Sequence, residues 1–254
     1  MTTSKRARDF LIEIARCPNV DTCIDGSEAH PCHSIVSHQP LDLRERHVPE
    51  PWNGRIDSPI LFLSSNPSID AAELFPDWSW SDDDIVDFFE NRFGGGKRWA
   101  EGHLYPLLKN GERKRQWVSF WANVNKLAQE LLRRPANPAI DYAMSEVVHC
   151  KSTSQSGVRE ALEECTQRYL DRLVAVSSAR VIVLLGRHAG SIVRKRFDLQ
   201  TEKSVTGPVR VGTLERTFVF LPHPNAHVKR TFKACLQDSE LRRLQKLVSG
   251  GRPV

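Results

Sequence analysis

Two short polar loops follow apolar runs in this chain. Residues 59–65 (PILFLSS) enter Asn66-Pro67-Ser68, and residues 217–221 (TFVFL) enter Pro222-His223-Pro224-Asn225. In an open α/β sheet, ligands bind at the carboxyl ends of the strands. A short polar side chain in the first loop and a histidine in the last can face each other there across one crevice. Asn66 and His223 are therefore the first pair to consider for chemistry.

The cysteines form a second constellation. Cys17, Cys23 and Cys32 lie near the N-terminus, Cys150 and Cys165 flank a loop between a strand and a helix, and Cys235 stands apart. The basic residues 1–9 run into an acidic amphipathic stretch rather than a signal-peptide core, so a cytoplasmic chain is expected. Stable disulfides are uncommon in that compartment. Three readings stay open: unpaired core thiols, a zinc site, or an iron–sulfur cluster. Zinc sites favour pairs roughly two to four residues apart, which this chain lacks. All-thiolate iron–sulfur ligation tolerates irregular spacing.

The elements that must position these groups alternate between helix and strand. Apolar periodicity predicts helices over 6–16, 117–134, 157–177, 186–196 and 231–248, and buried strands over 59–65, 179–185 and 212–221, with a short strand over 142–149. Trp117 and Trp121 fall on the core stripe of the second helix. Near-continuous apolar strands separated by helices indicate a parallel sheet covered on both faces. Residues 17–39 are polar and turn-rich, and 69–110 form a long connection carrying Phe75, Trp78 and Gly94-Gly95-Gly96. Length, with 40% hydrophobic and 26% charged residues, describes one soluble globular domain. It has a cysteine-bearing segment over 1–50 and an insertion-like segment over 69–142. No apolar run approaches the roughly 18 residues of a membrane span.

The formal net charge is +5, which modestly favours a polyanionic partner. Lys109, Arg113, Lys114 and Arg115 make one basic cluster, and Lys229, Arg230 and Lys233 make another just after His223.

Five motifs in order resemble the uracil-DNA glycosylase superfamily, most closely its iron–sulfur, family-4-like branch. They are the helix leading to Cys17 and Cys23; Ser65-Asn66-Pro67-Ser68; the strand from Glu146 to Cys150, with Cys165 beyond it; Leu185-Gly186-Arg187-His188-Ala189; and His223-Pro224-Asn225. The resemblance covers most of the chain outside 69–142. It implies an α/β/α sandwich on a four-stranded parallel sheet and DNA as partner. It also implies a 4Fe–4S cluster held by Cys17, Cys23, Cys150 and Cys165, with Cys32 as an alternative ligand.

By the same resemblance Asn66 places a water and His223 stabilises the departing base. Ser65 and Ser68 join the substrate site, and His227, Lys229 and Arg230 grip DNA. Phe75 or Trp78 is expected to stack on a flipped-out base. Asp70 and Glu73 are possible bases, with a helix N-terminus as their preferred alternative. Uracil readers of the family carry asparagine where this chain has Glu146. An ionised carboxylate only accepts hydrogen bonds, which suits the amino group of cytosine. The expected substrate is therefore a cytosine-type base. Ordinary cytosine would expose the host genome, so a modified cytosine, as in some phage DNA, is the expected target.

Overall fold

Alternate residues of the apolar runs feed two different cores. In the computed structural model, which describes residues 4–39, 45–94, 99–101, 104–200 and 202–250, strand β2 (Ile60–Ser64) is buried throughout. Its Leu61 and Leu63 enter one core and its Ile60 and Phe62 the other. That is the two-residue period of a strand covered on both faces.

The chain begins with α1 (Lys5–Ala15), α2 (Pro18–Ile24), α3 (His33–Val36) and β1 (Asn53–Gly54). After β2 come α4 (Asp82–Asn91), β3 (Ala100–Glu101), β4 (Tyr105–Pro106), α5 (Ser119–Leu132) and β5 (Tyr142–Glu146). Then follow α6 (Val158–Val176), β6 (Val181–Leu185), α7 (Arg187–Arg196), β7 (Val205–Val211), β8 (Leu214–Leu221), α8 (Phe232–Cys235) and α9 (Asp238–Ser249). The main sheet runs β1-β5-β2-β6-β8-β7. Its four central strands are parallel, as expected, and an antiparallel strand closes each edge. Phe10 and Ile14 of α1, Phe88 of α4, Tyr169 of α6 and Val193 of α7 enter the core containing Leu61. Val124 of α5, Phe232 of α8 and Leu244 of α9 enter the core containing Ile60. The result is a three-layer α/β/α sandwich.

Register aligns the functional ends. Ser64 pairs with Glu146, and Leu185 with Leu221, so all four parallel strands finish at one rim. There the loops after β2, β5, β6 and β8 converge.

Four expectations need correction. Residues 69–81 hold no helix, so Asp70 and Glu73 are not a helix N-terminus. The long connection instead contains α4, opened by Ser81, whose hydroxyl accepts from the Asp84 amide, with Asp82, Asp83 and Asp84 in its first turn. Trp117 precedes α5 and is 60% exposed rather than core. The C-terminal helix is broken at Leu236, because Gln237 and Glu240 form a capping box that starts α9 afresh. Gly94 is a bend; Gly95 and Gly96 lie outside the described residues.

Candidate active site

Asn66 sits where the loop after β2 meets the loop after β5. Its Nδ2 donates to Ser152 Oγ and to the Pro67 carbonyl, both at 3.0 Å. Ser68 and Ser152 form a β-bridge, and the Ser152 amide donates to Pro67 O at 3.2 Å. With both donor contacts made by Nδ2, the amide oxygen of Asn66 is left as the acceptor for the pocket it lines. Ser65 is buried and accepts from Gln155 Nε2 at 2.9 Å, so it braces the loop without lining that pocket. Ser68 is exposed at the pocket wall.

His223 is held from three sides. The Asn225 amide donates to its Nδ1 at 3.2 Å, so the neutral ring carries its proton on Nε2. Burial pushes its pKa down, which favours that neutral form. Asn123 of α5 donates to the Pro224 carbonyl at 3.0 Å and to Asn225 Oδ1 at 3.1 Å. Gly186, at φ +93°, lets the β6 end approach: a Cβ there would lie 3.4 Å from His223 Cβ, on a backbone that side chains rarely adopt.

One cavity of about 380 Å³ is lined by Asn66, His223 and Glu146 together. Glu146 is the last residue of β5 and is 5% exposed. Ser64 Oγ donates to its Oε1 at 3.4 Å, whereas Oε2 is buried without a hydrogen-bond partner among the described residues. Burial first, and the neighbouring Glu50 carboxylate second, push its pKa well above the usual range. The sequence-based picture of an ionised carboxylate is thereby revised: this group favours its neutral form.

Behind Glu146 lies a buried polar floor that sequence reasoning missed. Arg92 donates to Asn53 Oδ1 at 3.0 Å, bonds Glu73 and lies 3.8 Å from Glu50. Lys151 is 3.6 Å from Glu50 Oε2, with its Nζ 3.4 Å above the Phe75 ring. The signal was faint: isolated charges spread over 100 residues, beside residues that read as core. Asp70 also lines the cavity, bonded by Lys114 at 2.7 Å, which draws its pKa down.

Neither expected stacking residue lines this cavity. Phe75 packs edge-on against Phe88 and Phe89, and Trp78 lies beneath the Arg16 guanidinium. Phe120 does line it, its ring 5.6 Å from that of His223, and Trp117 and Trp121 flank it. Trp117 is exposed rather than core, whereas Trp121 is buried in the core containing Ile60, as expected, and also borders the cavity. His227 and Lys229 are exposed on the loop after His223, and Arg230 is half-buried, donating to the Ala226 carbonyl at 2.7 Å.

A second, apolar cavity lies on the other side of the β5 end. Cys17, Cys32, Cys150 and Cys165 all line it; Cys23 does not, and lies 3.5 Å from His30 Nδ1. Burial raises all four lining thiols, Cys32 to about 12, and Cys17 adds to the rise at each of the other three. Thiols buried in an apolar cavity ionise readily only around a cationic centre, and all-cysteine donation is what iron–sulfur clusters use. The residues fit such a group by donor type, with Cys32 rather than Cys23 as the fourth. Among the described residues no three His, Cys, Asp or Glu side chains are placed to hold a single metal ion.

Comparison with known families now decides the wider kinship. The family model of the uracil DNA glycosylase superfamily matches residues 51–246. The chain belongs to that superfamily. Its members are DNA glycosylases, and some are catalytically inactive. No curated protein matches the chain. No described helix is long and apolar enough to cross a membrane.

Proposed function

We propose that this chain is a DNA glycosylase that hydrolyses the N-glycosidic bond of a flipped-out, modified cytosine, leaving an abasic site. One observation carries the choice of base: Glu146, not an amide, stands on the wall shared with Asn66 and His223. A carboxyl there offers an acceptor to the exocyclic amino group. The target is extruded from the stack and read in the pocket.

Cleavage leaves an electron-poor sugar and an electron-rich base. Asn66 Oδ1 orients the attacking water, since an amide can align it without taking its proton. His223 Nε2–H donates to the base as charge builds there, from a ring already fixed by Asn225 and Gly186. Phe120 provides the stacking face. The wall contributed by Asp70, Lys114, Gln116 and Trp117 gives a bulky polar adduct room and hydrogen-bonding partners. A cytosine so modified belongs to foreign DNA, which makes the activity defensive. Lys229 and Arg230, with the basic run ending at Arg115, meet the phosphates and supply salt-dependent affinity. Cys17, Cys32, Cys150 and Cys165 would hold a 4Fe–4S cluster that ties the N-terminal segment to the β5 loop, a structural cross-link remote from the bond being cut.

Duplexes bearing uracil, cytosine or glycosylated 5-hydroxymethylcytosine test the reading, with abasic sites as the readout. Release from the modified cytosine is expected, lowered by about 10²–10³-fold in His223→Ala. Glu146→Asn is expected to gain uracil release. Abasic sites from uracil alone in the wild type would overturn the assignment.

A further inference from the structure

Three buried carboxylates and two cations meet beneath the cavity: Glu50, Glu73 and Glu146 with Arg92 and Lys151. With every group ionised the cluster holds one negative charge too many, in a place where an unpaired charge is costly. One bound proton makes it neutral. Glu73 is bonded by Arg92, and Glu50 is flanked by Arg92, Lys151 and Asn53. Among the described residues Glu146, on the cavity wall, bonds only the Ser64 hydroxyl, and its Oε2 is buried without a hydrogen-bond partner. The proton belongs there; Oε2 is shielded from solvent but has no protein partner among those residues, so it is the oxygen free to bond a substrate that enters beside it.

From this arrangement we infer that Glu146 is the general acid of the reaction and delivers its proton to the ring nitrogen N3 of a cytosine-type base. The inference rests on the substrate reading above. Cytosine presents an amino donor beside a basic ring nitrogen, matching the carbonyl and hydroxyl oxygens of a neutral carboxyl. As the C1′–N1 bond breaks, its electron pair passes to N1 and into the ring. The Oε2 proton bonds to N3, so the base departs neutral rather than as a poor anionic leaving group. Water adds to C1′ and gives its surplus proton to solvent, and Glu146 is reprotonated after the base leaves. Discrimination then lies in the chemistry as well as the fit. A neutral carboxyl can also hydrogen-bond uracil, but uracil N3 already carries hydrogen and has no lone pair to take another.

The groups facing Glu146 set its behaviour with pH. Glu50, before β1, opposes ionisation; Lys151, after β5, and Arg92, after α4, favour it. Asp70 and Glu73, from the loop after β2, and neutral His223, after β8, share the cavity. Activity requires the protonated form. It is therefore full below the raised pKa and falls as pH rises through it.

Single-turnover release from a duplex carrying glycosylated 5-hydroxymethylcytosine, measured across pH, is the test. Glu146→Gln keeps a donor and an acceptor but has no acidic proton. It should bind the duplex within a few-fold of wild type, release base about 10²–10⁴-fold more slowly, and lose the alkaline fall. Glu50→Gln tests the same group without touching it: removing the opposing charge should move the fall to lower pH. A Glu146→Gln enzyme of wild-type rate, or a Glu50→Gln profile that does not move, overturns the general-acid role while leaving the substrate reading standing. Release of uracil but of no cytosine derivative overturns both.

Discussion

Two cavities lie either side of one strand end, and they are built in opposite ways. Glu146 closes β5 facing a polar cavity; four residues on, Cys150 faces an apolar one. The polar cavity is walled by residues from six separate stretches between Glu50 and Asn225, and its charges are already neutralised by one another apart from the place where Glu146 sits. The cysteine cavity gathers four raised thiols, with no Lys or Arg among its described lining residues. On the proposed reading, the first is pre-organised for a substrate that comes and goes, and the second would be completed by a cluster that stays.

The largest effect should come from breaking the internal neutralisation. Arg92 is almost wholly buried, touches Glu50, Glu73 and Asn53, and lies 4.6 Å from the Trp121 ring and 5.0 Å from that of Phe88. Arg92→Leu fills similar space but strands two buried carboxylates. A loss of about 3–5 kcal/mol is expected, read as a lower urea midpoint at unchanged slope. A change below about 1 kcal/mol would mean that water, not Arg92, compensates the floor.

The cysteine cavity gives a sharper contrast at smaller cost. Cys32→Ser should remove brown colour and bound iron from the purified protein, while Cys23→Ser should leave both unchanged. The reverse result would restore the ligand set that the motif order suggested. Of Cys23 and Cys32, only Cys32 lines this cavity with Cys17, and the local fold gives the physical reason. Cys17 caps α2, with Pro18 in its first turn, and the turn of helix that follows carries Cys23 away from the cavity. The tight loop over 25–32 brings Cys32 back, its amide donating to His30 Nδ1 at 3.1 Å.

Legibility in the sequence followed how local each signal was. The strands ending at Ser64, Leu185 and Leu221 were readable because uniform apolar runs bounded by polar loops have few alternatives, and strand ends placed Asn66 and His223 correctly at one rim. Glu146 was singled out through the resemblance, as the residue standing where the family's uracil readers carry asparagine, and the structure sets it on one cavity wall with Asn66 and His223. The polar floor was not, since nothing in the neighbourhood of Glu50 or Arg92 reveals a partner that only folding supplies. Edge strands β1 and β7 were missed for a similar reason: their register depends on β5 and β8 rather than on their own pattern.

The smallest expected effect concerns Trp117, and it tests whether the 69–142 segment does more than enclose. Periodicity assigns this tryptophan to the buried stripe of α5, but the helix starts at Ser119, after Val118 in extended backbone whose amide donates to the Leu104 carbonyl at 2.9 Å. That bond holds the chain out of the helix and leaves the indole at the cavity rim. An exposed ring there has no folding role to lose, so Trp117→Ala should leave stability within about 0.5 kcal/mol. If the ring stacks on the adduct of a modified base, the substitution should weaken half-saturation by the modified duplex roughly 5-fold, about 1 kcal/mol. An unmodified cytosine duplex should lose nothing. Equal losses on both duplexes would place Trp117 against the DNA backbone instead, and the polar cavity would then owe its breadth to something other than the base it receives.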